Sequence, residues 1–295
     1  MDRNSLESDN IILYCPDDGS RAGREARTLA LKIASKGIRV LGTRISWPRD
    51  ELLIYPDGRC LIDSRWTGRS YFEHEACSGG RFVKGLDFIL CSDSLPEHKR
   101  KMTEDNLNSH VSFVYINLRP AIDSLKKVKV KEKEDFYEGY QKDPHIDVVL
   151  NLRNITRRIF TYDCPTIIEM VKPLADRFGY ELVTLPFKEA GYVSVGFLQT
   201  RNLIVVDKRA VETIDLMRSI GEPVIASPEP MTNTNKWGAG MRCIYTELPF
   251  SYEYLRFYPE KISHLASGFR SFFFDLNDHE LVEEKMGDIR LLYKI

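Results

Sequence analysis

Three segments of the sequence share one pattern of apolar and polar positions: a short apolar run, an amphipathic stretch with helical spacing, and a glycine followed by a second apolar run. They read IILYCPDD–REARTLALKIASKG–IRVLGT, RRIFTYD–CPTIIEMVKPLADRFG–YELVTLP and RNLIVVD–KRAVETIDLMRSIG–EPVIASP. Each predicts a strand, a helix and a second strand. The fold class is therefore α/β. A repeat architecture and an ordinary doubly wound sheet both fit, and the pattern alone does not choose between them.

The predicted helices have one apolar face. The positions that we expect to be buried recur every three or four residues: Leu29, Ala30, Ile33 and Ala34 in the first helix, and Val211, Ile214, Leu216 and Met217 in the third. Gly37 and Gly221 follow these helices, where a glycine with positive φ commonly ends the helix.

Strand patterns also fill the region between the first and second segments. They are WPRDELLIYPDGRCLID, GGRFVKGLDFILCSD and SHVSFVYINL, and the Pro-Asp-Gly turn in the first predicts a hairpin. The next stretch, LKKVKVKEKEDFYEGYQKDP, mixes charges of both signs, which is typical of a solvated loop or surface strand.

Composition narrows the classes of function. Hydrophobic residues make up 43% of the 295 positions, and 42 Lys and Arg nearly balance 43 Asp and Glu, for a net charge of -1. This balance argues against nucleic acid or a membrane as the main partner and favours a small molecule. The six cysteines form no CxxC or Cys/His cluster, so we predict no metal site. The polar N-terminus and the lack of a long apolar run indicate a cytoplasmic protein with free thiols.

Two stretches carry candidate polar chemistry. Asp50, at the start of a predicted strand in WPRDELLIYPDG, is either a ligand carboxylate or a cap paired with Arg49. His145 and Asp147, in DPHIDVVLNL, are two residues apart at the head of an apolar strand and are expected on the same face. This spacing suits an acid–base imidazole beside a carboxylate that binds a cation, although a single histidine is more often structural.

A third stretch, KWGAGMRC, ends at Cys243. Gly238 and Gly240 allow the backbone to approach closely or turn sharply before Cys243 enters a strand. Cys243 is either an inert buried thiol or a nucleophile activated by its surroundings. We expect the other five cysteines to be inert.

Taken in order, these stretches resemble the guanidine-modifying (pentein) superfamily, which includes arginine, agmatine and peptidylarginine deiminases, dimethylarginine hydrolases and amidinotransferases. WPRDE matches the Arg-Asp element, PHIDVV the His-x-Asp element and GAGMRC the terminal glycine-rich element with its cysteine. GGRFVKGLDFILCSDS is similar to the strand after the family's Glu-Gly-Gly. Arg242, directly before the cysteine, is similar to arginine deiminases in particular.

The resemblance implies a fold. It favours a five-fold pseudo-symmetric α/β propeller, with strand–helix–strand repeats around a central channel, over the doubly wound sheet. It implies one catalytic domain over residues 1–295. Residues 250–295 form an unusual C-terminal extension that packs on the core or covers the channel.

The resemblance also implies roles. Asp50 and Asp147 hold a planar guanidinium, Cys243 attacks its central carbon, and His145 protonates the leaving group and then activates water. The glycines before Cys243 give clearance for the substrate.

Three more residues belong to the predicted substrate site. Arg81 and Arg242 are candidates for binding an α-carboxylate, with a structural pair to a nearby acid as the alternative for either one. The sequence departs from the family at Ser78, where many relatives have Glu before Gly-Gly. Peptidylarginine deiminases use the Asp, His, Asp and Cys residues without this glutamate.

The predicted function is a deiminase-type hydrolase that acts on arginine or a related small guanidino compound through a Cys thiouronium. The alternatives are an amidinotransferase that uses the same intermediate and a non-catalytic pentein scaffold. No metal or organic cofactor is implied, the predicted partner is the guanidino substrate, and a homo-oligomer is compatible with the sequence.

Overall fold

The structure, a computed structural model, describes residues 10–14, 20–43, 52–54, 60–62, 79–86, 88–94, 97, 100–101, 104, 112–128, 144–232, 240–247, 272–275, 281–286 and 289–294. Two predicted site residues, Asp50 and Ser78, lie outside these residues. So does most of the charged segment before His145.

The helices and strands follow the predicted order. The helices whose full course is described are α1 (Arg21–Ala34), α2 (Arg119–Leu125), α3 (Pro165–Phe178) and α4 (Val211–Ser219). The strands are β1 (Asn10–Tyr14), β2 (Arg39–Thr43), β3 (Leu52–Ile54), β4 (Cys60–Ile62), β5 (Phe82–Lys84), β6 (Phe88–Ser92), β7 (Ser112–Ile116), β8 (Leu150–Arg153), β9 (Arg158–Tyr162), β10 (Glu181–Leu185), β11 (Leu198–Gln199), β12 (Ile204–Val206), β13 (Val224–Ala226), β14 (Tyr245–Glu247), β15 (Phe272–Asp275), β16 (Leu281–Met286) and β17 (Ile289–Lys294).

One three-stranded arrangement recurs in four of the described sheets. A central strand pairs with an antiparallel strand on one side and a parallel strand on the other, in the orders β14-β1-β2, β5-β6-β7, β8-β9-β10 and β11-β12-β13. Helices α1, α3 and α4 connect the parallel strands of their sheets, as the three sequence segments predicted. The predicted hairpin is also confirmed, because β3 pairs antiparallel with β4 from Leu52–Ile62 to Ile54–Cys60.

The first sheet differs from the others in the origin of its antiparallel strand. In the other three, this strand directly precedes the central strand in sequence. In the first, β14 comes from beyond the last repeat and pairs with β1, with Leu13 opposite Tyr245. The sheet continues past β2 through β15, β17 and β16, so part of the C-terminal segment is joined to it. The pairing with β1 holds the segment around Cys243 against the start of the chain.

Helix α1 forms as its sequence predicts. The Ser20 hydroxyl accepts a hydrogen bond from the Gly23 N–H at 2.9 Å and caps the first turn. Leu29, Ala30 and Ile33 are fully buried on the predicted face, and Ala34 is partly buried. The helix is followed by Gly37 with a φ of 81°, as expected.

Helix α4 departs from its predicted face at one position. Ile214 and Met217 are buried, but Val211 is 55% exposed. Val211 is the first residue of the helix, where side chains precede the turn that packs on the sheet. The buried carboxylate of Glu189 accepts the N–H groups of Glu212 (3.0 Å) and Thr213 (2.9 Å), which gives this helix an N-terminal cap from a neighbouring segment.

The apolar core has two clusters among the described residues. The larger one combines side chains from β5 to β13 with α2, α3 and α4. The smaller one packs α1, β1 and β2 against Met241, Ile244 and Tyr245. Because these three residues flank Cys243, the segment that carries this thiol is anchored in the core.

A buried ion-pair network links β8 and β9 to the start of β13. Glu222 lies with one oxygen 3.3 Å from Arg153 Nε and the other 2.7 Å from Arg158 Nη1. The Thr156 hydroxyl donates to the same carboxylate at 2.7 Å. The side chains of Arg153 and Glu222 are almost completely inaccessible to solvent. Removing one partner therefore leaves buried charge without compensation.

We expect Glu222→Ala to lower the free energy of unfolding by about 3–5 kcal/mol, because two arginines lose their buried partner. Glu181→Ala is the matched control, since Glu181 binds the same Arg158 at 2.8 Å but is mostly exposed. Its cost should stay below about 1 kcal/mol. Urea unfolding measures the free energy of unfolding of both variants. Equal decreases in the two variants would contradict this account of the network.

Candidate active site

His145 and Asp147 flank the start of a short turn and do not lie within a strand. His145 has an extended backbone (φ −100°, ψ 134°) and precedes a 3₁₀ turn at Ile146–Val148, and β8 begins only at Leu150. The predicted reason for grouping the two side chains, alternation along a strand, is therefore wrong. A 3₁₀ turn has about three residues per turn, so residues two apart point in different directions.

The imidazole of His145 lies directly over Gly80. A Cβ added to Gly80 would lie 2.9 Å from His145 Cε1 and 3.0 Å from Cγ, and closest of all to Nδ1. No side chain fits in that space. Gly80 belongs to a 3₁₀ turn at Gly79–Arg81 that packs against Ile146–Val148. Gly80 thus has a physical role, which is to let the ring of His145 rest on the backbone of the turn before β5.

Arg81 is in the same turn as Gly80. Its side chain is partly buried at the start of β5. The packing of this turn on the one after His145 places Arg81 in the vicinity of the imidazole.

Cys243 also lies in a 3₁₀ turn, Met241–Ile244, and the strand that was expected to contain it starts two residues later. Its N–H donates to the Gly240 carbonyl at 3.1 Å, and the residue is 4% exposed. A Cβ on Gly240 would lie 3.0 Å from Val193 Cγ1 and 3.1 Å from the Gly196 carbonyl oxygen. Gly240 therefore allows two backbones to pack together, and its missing side chain does not give the predicted clearance for a substrate.

Val193 has an unusual backbone at this contact. Its φ of 50° is a left-handed conformation that a β-branched residue rarely adopts. The resulting turn lets the Gly196 N–H donate to the Val193 carbonyl at 2.8 Å. The turn presents Gly196 to Gly240, and in this way a strained residue shapes the support of the cysteine segment.

Arg242 joins the cysteine turn to the histidine turn. Its backbone N–H donates to the Gly196 carbonyl at 2.9 Å. Its guanidinium donates to Asn151 Oδ1, and its Nε lies 3.5 Å from Asp147 Oδ1. Arg242, Asp147 and Asn151 are all buried. Of the predicted site residues, Arg242 and Asp147 are in contact, and this contact joins the turn that carries Cys243 to the turn that follows His145.

The sequence reasoning missed two residues of this arrangement. Gly80 belongs to the Gly-Gly element of the family, and the sequence does not show that His145 is its partner. Asn151 was not singled out, although it is an amide in the otherwise apolar run VVLNL. A buried polar residue in such a run needs hydrogen-bond partners, so the sequence already indicated that Asn151 takes part in a polar contact.

Two other thiols, those of Cys91 and Cys164, are buried among the described residues. Burial, with a contribution from the negative charge of Glu104, raises the pKa of Cys91 to about 12. Cys164 is buried at the start of α3. Cys91 is therefore protonated and inert at neutral pH, as predicted for it.

Neither a metal-binding cluster nor a membrane-spanning helix is present in the described residues. In the part of the chain that the structure covers, no group of three or more His, Cys, Asp or Glu side chains is arranged to hold a metal ion. Within the same residues, no helix has the length and apolar character needed to span a membrane.

The fold has clear counterparts among solved structures. An arginine dihydrolase from the ornithine–ammonia cycle in cyanobacteria superposes with a TM-score of 0.55 at 12% identity, over 81% of this chain and 39% of that one. Dimethylarginine dimethylaminohydrolase from Pseudomonas aeruginosa, solved with citrulline, gives 0.53 at 11% identity over 82% of this chain and 99% of that one. An amidinotransferase of saxitoxin biosynthesis from Microseira wollei gives 0.53 at 10%, over 83% and 97%.

The chain has a mixed α/β fold, and its neighbours among solved structures have the pentein fold. All three proteins belong to the pentein superfamily, so the resemblance predicted from short motifs is confirmed at the level of a mixed α/β fold. No protein-family model and no curated protein matches the sequence. At such low identities the likeness concerns the fold alone, and the activity of this chain has to be argued from its site.

We expect Gly80→Ala to destabilise the protein by about 1–3 kcal/mol, because the new methyl group forces the His145 ring to move. In a His145→Ala background the obstacle is gone, and the same substitution should cost less than about 0.5 kcal/mol. Urea unfolding of the two single variants and the double variant measures the difference. Equal costs in both backgrounds would show that His145 does not lie on Gly80.

Proposed function

We propose that this protein is a hydrolase of the deiminase type, which acts on arginine or a related small guanidino compound through a covalent thiouronium on Cys243. The observation that carries the proposal is the contact between Arg242 and Asp147. This contact joins the turn that carries Cys243 to the turn that follows His145. The solved structures with a similar fold include guanidino-modifying enzymes. A nucleophile and an acid–base group are the minimum that this chemistry needs.

For the architecture, we propose the five-fold propeller with a central channel. The recurring three-stranded arrangement supports it, and so does β14, which closes the last repeat onto the first. The turns that carry Gly80, His145 and Cys243 each precede the antiparallel strand of a sheet. In sequence, Asp50 stands two residues before β3, a matching position. Residues 1–295 would form one catalytic domain, with the C-terminal extension 250–295 packed on the core or covering the channel.

In the first step, the guanidinium plane is held by the carboxylates of Asp50 and Asp147. The Cys243 thiolate attacks the central carbon, a C–S bond forms, and a C–N bond breaks. His145 gives a proton to the departing nitrogen, which leaves as ammonia or an amine. The Asp147 carboxylate interacts with both the substrate guanidinium and Arg242.

In the second step, His145 removes a proton from a water molecule, which attacks the thiouronium carbon. The C–S bond breaks, and its electron pair returns to Cys243 as a thiolate. The product is a urea derivative, which is citrulline when the substrate is arginine and ammonia leaves. No redox change occurs in either step.

We assign the binding of a substrate α-carboxylate to Arg81. Of the two arginines predicted for this role, Arg242 has its guanidinium against Asp147 and Asn151, and it is almost fully buried. Arg81 is partly exposed beside the histidine turn. Ser78, two residues before Gly80, is proposed to line the same side of the pocket in place of the usual glutamate.

Amidino transfer is the second candidate, because the amidinotransferase from Microseira wollei superposes as well as the hydrolases do. In that reaction an amine takes the place of water in the second step. Incubation with arginine, with and without an amine acceptor, distinguishes the two. Citrulline indicates hydrolysis, whereas ornithine with a new guanidino compound indicates transfer.

Labelling with chloroacetamidine, a guanidinium-like electrophile, should modify Cys243 at least tenfold faster than Cys91 or Cys15. The pKa of Cys91 is raised to about 12, so only about one Cys91 in ten thousand is a thiolate at pH 8. Peptide mass spectrometry locates the label, and Cys243→Ser is the control. If Cys243 shows no preference, and arginine is not converted, the protein is a non-catalytic scaffold and the proposal is wrong.

A further inference from the structure

Asn151 lies in the middle of β8, between Leu150 and Leu152, and is completely buried. A primary amide has two N–H donors and an oxygen that accepts two hydrogen bonds. Burying such a group is costly unless these positions are filled. The partners of Asn151 therefore show why it is there.

All four positions of the amide are occupied. Its nitrogen donates to the Val195 carbonyl at 3.1 Å and to the Phe197 carbonyl at 3.4 Å. Its oxygen accepts from the Leu152 N–H at 2.9 Å and from the guanidinium of Arg242. A single side chain thus connects β8, the segment before β11 and the cysteine turn.

These hydrogen bonds form a closed ring that includes Arg242, the residue before Cys243. Asn151 holds the carbonyls on both sides of Gly196, and the Gly196 carbonyl holds the backbone N–H of Arg242. The side chain of Arg242 returns to Asn151. Arg242 is fixed at its backbone and at its side chain through the same amide, and Cys243 is the next residue along the chain.

We propose that Asn151 is a positioning residue for Cys243, acting through Arg242. The inference rests on the proposed function, since it concerns the thiol that the proposed chemistry uses. Asn151 makes no contact with the substrate. Its role is to keep the 3₁₀ turn of Cys243 in the register that places the sulfur for attack. A displacement of about 1 Å at a reacting group can cost about 100-fold in rate.

Three variants separate positioning from simple packing. Asn151→Leu keeps the approximate volume and removes every polar contact. Asn151→Asp keeps the oxygen that accepts from Arg242 and loses the donors to Val195 and Phe197. Gln199→Leu is the matched control, because Gln199 is a buried amide that donates to the Leu152 carbonyl at 2.7 Å and has no bond to Arg242.

The readout is the rate at which iodoacetamide alkylates Cys243, compared with Cys164 in the same molecule by peptide mass spectrometry. Asn151→Leu should slow Cys243 about 100-fold, Asn151→Asp about tenfold, and Gln199→Leu by less than twofold, because a displaced thiol loses the surroundings that keep it as the reactive thiolate. Cys164 reports general opening of the fold and should be unchanged. Where turnover is measured, kcat should fall in the same order while KM stays within about threefold of its original value, because Asn151 does not touch the substrate.

Two results would overturn the inference. One is Asn151→Leu with an unchanged alkylation rate at Cys243. The other is an equal loss in Asn151→Leu and Gln199→Leu, which would make the amide a general structural tie. If Asn151→Leu does not fold, the alkylation rates of Cys243 in Asn151→Asp and Gln199→Leu are compared instead. Equal rates in these two variants would overturn the inference. Iodoacetamide carries no guanidinium, so this outcome stands even if arginine is not a substrate and chloroacetamidine shows no preference.

Discussion

The buried guanidinium of Arg242 is the constraint on which the rest of the site depends. It contacts Asp147 on the histidine turn and Asn151 on β8, while its own backbone is bound to Gly196. A buried cation without partners would be very costly, so these contacts have to form together when the protein folds. Once they form, Cys243 has little freedom to move. The geometry of the site therefore follows from the burial of one positive charge.

The repeats explain how distant parts of the sequence reach this point. The turns of Gly80, His145 and Cys243 each stand immediately before the antiparallel strand of one repeat. Neighbouring repeats pack these turns against one another, with His145 on Gly80 and Asp147 beside Arg242. Gly80 and Gly240 make this close approach possible, because they have no side chain at the contact. A repeated scaffold thus supplies equivalent positions, and different side chains at those positions give them different chemistry.

Local patterns predicted much of this fold, because strands and helices with one buried face leave a periodic signal in the sequence. The three strand–helix–strand segments and the hairpin at β3–β4 appeared as expected. The turns of His145 and Cys243 were mistaken for strands, because a 3₁₀ turn of three or four residues is too short to show a period. The tie between Asn151 and Arg242 was not predictable, since it joins residues 91 apart in sequence. Only the folded chain shows which polar groups meet.

The most direct test of the account is to find the substrate attached to Cys243. The protein would be mixed with arginine and quenched in acid during turnover, and its peptides mapped by mass spectrometry. The account predicts the mass of arginine less ammonia, which is the thiouronium left after ammonia departs, on the peptide of Cys243 alone, and none in Cys243→Ser. An adduct on another cysteine, or conversion of arginine by Cys243→Ser, would contradict it.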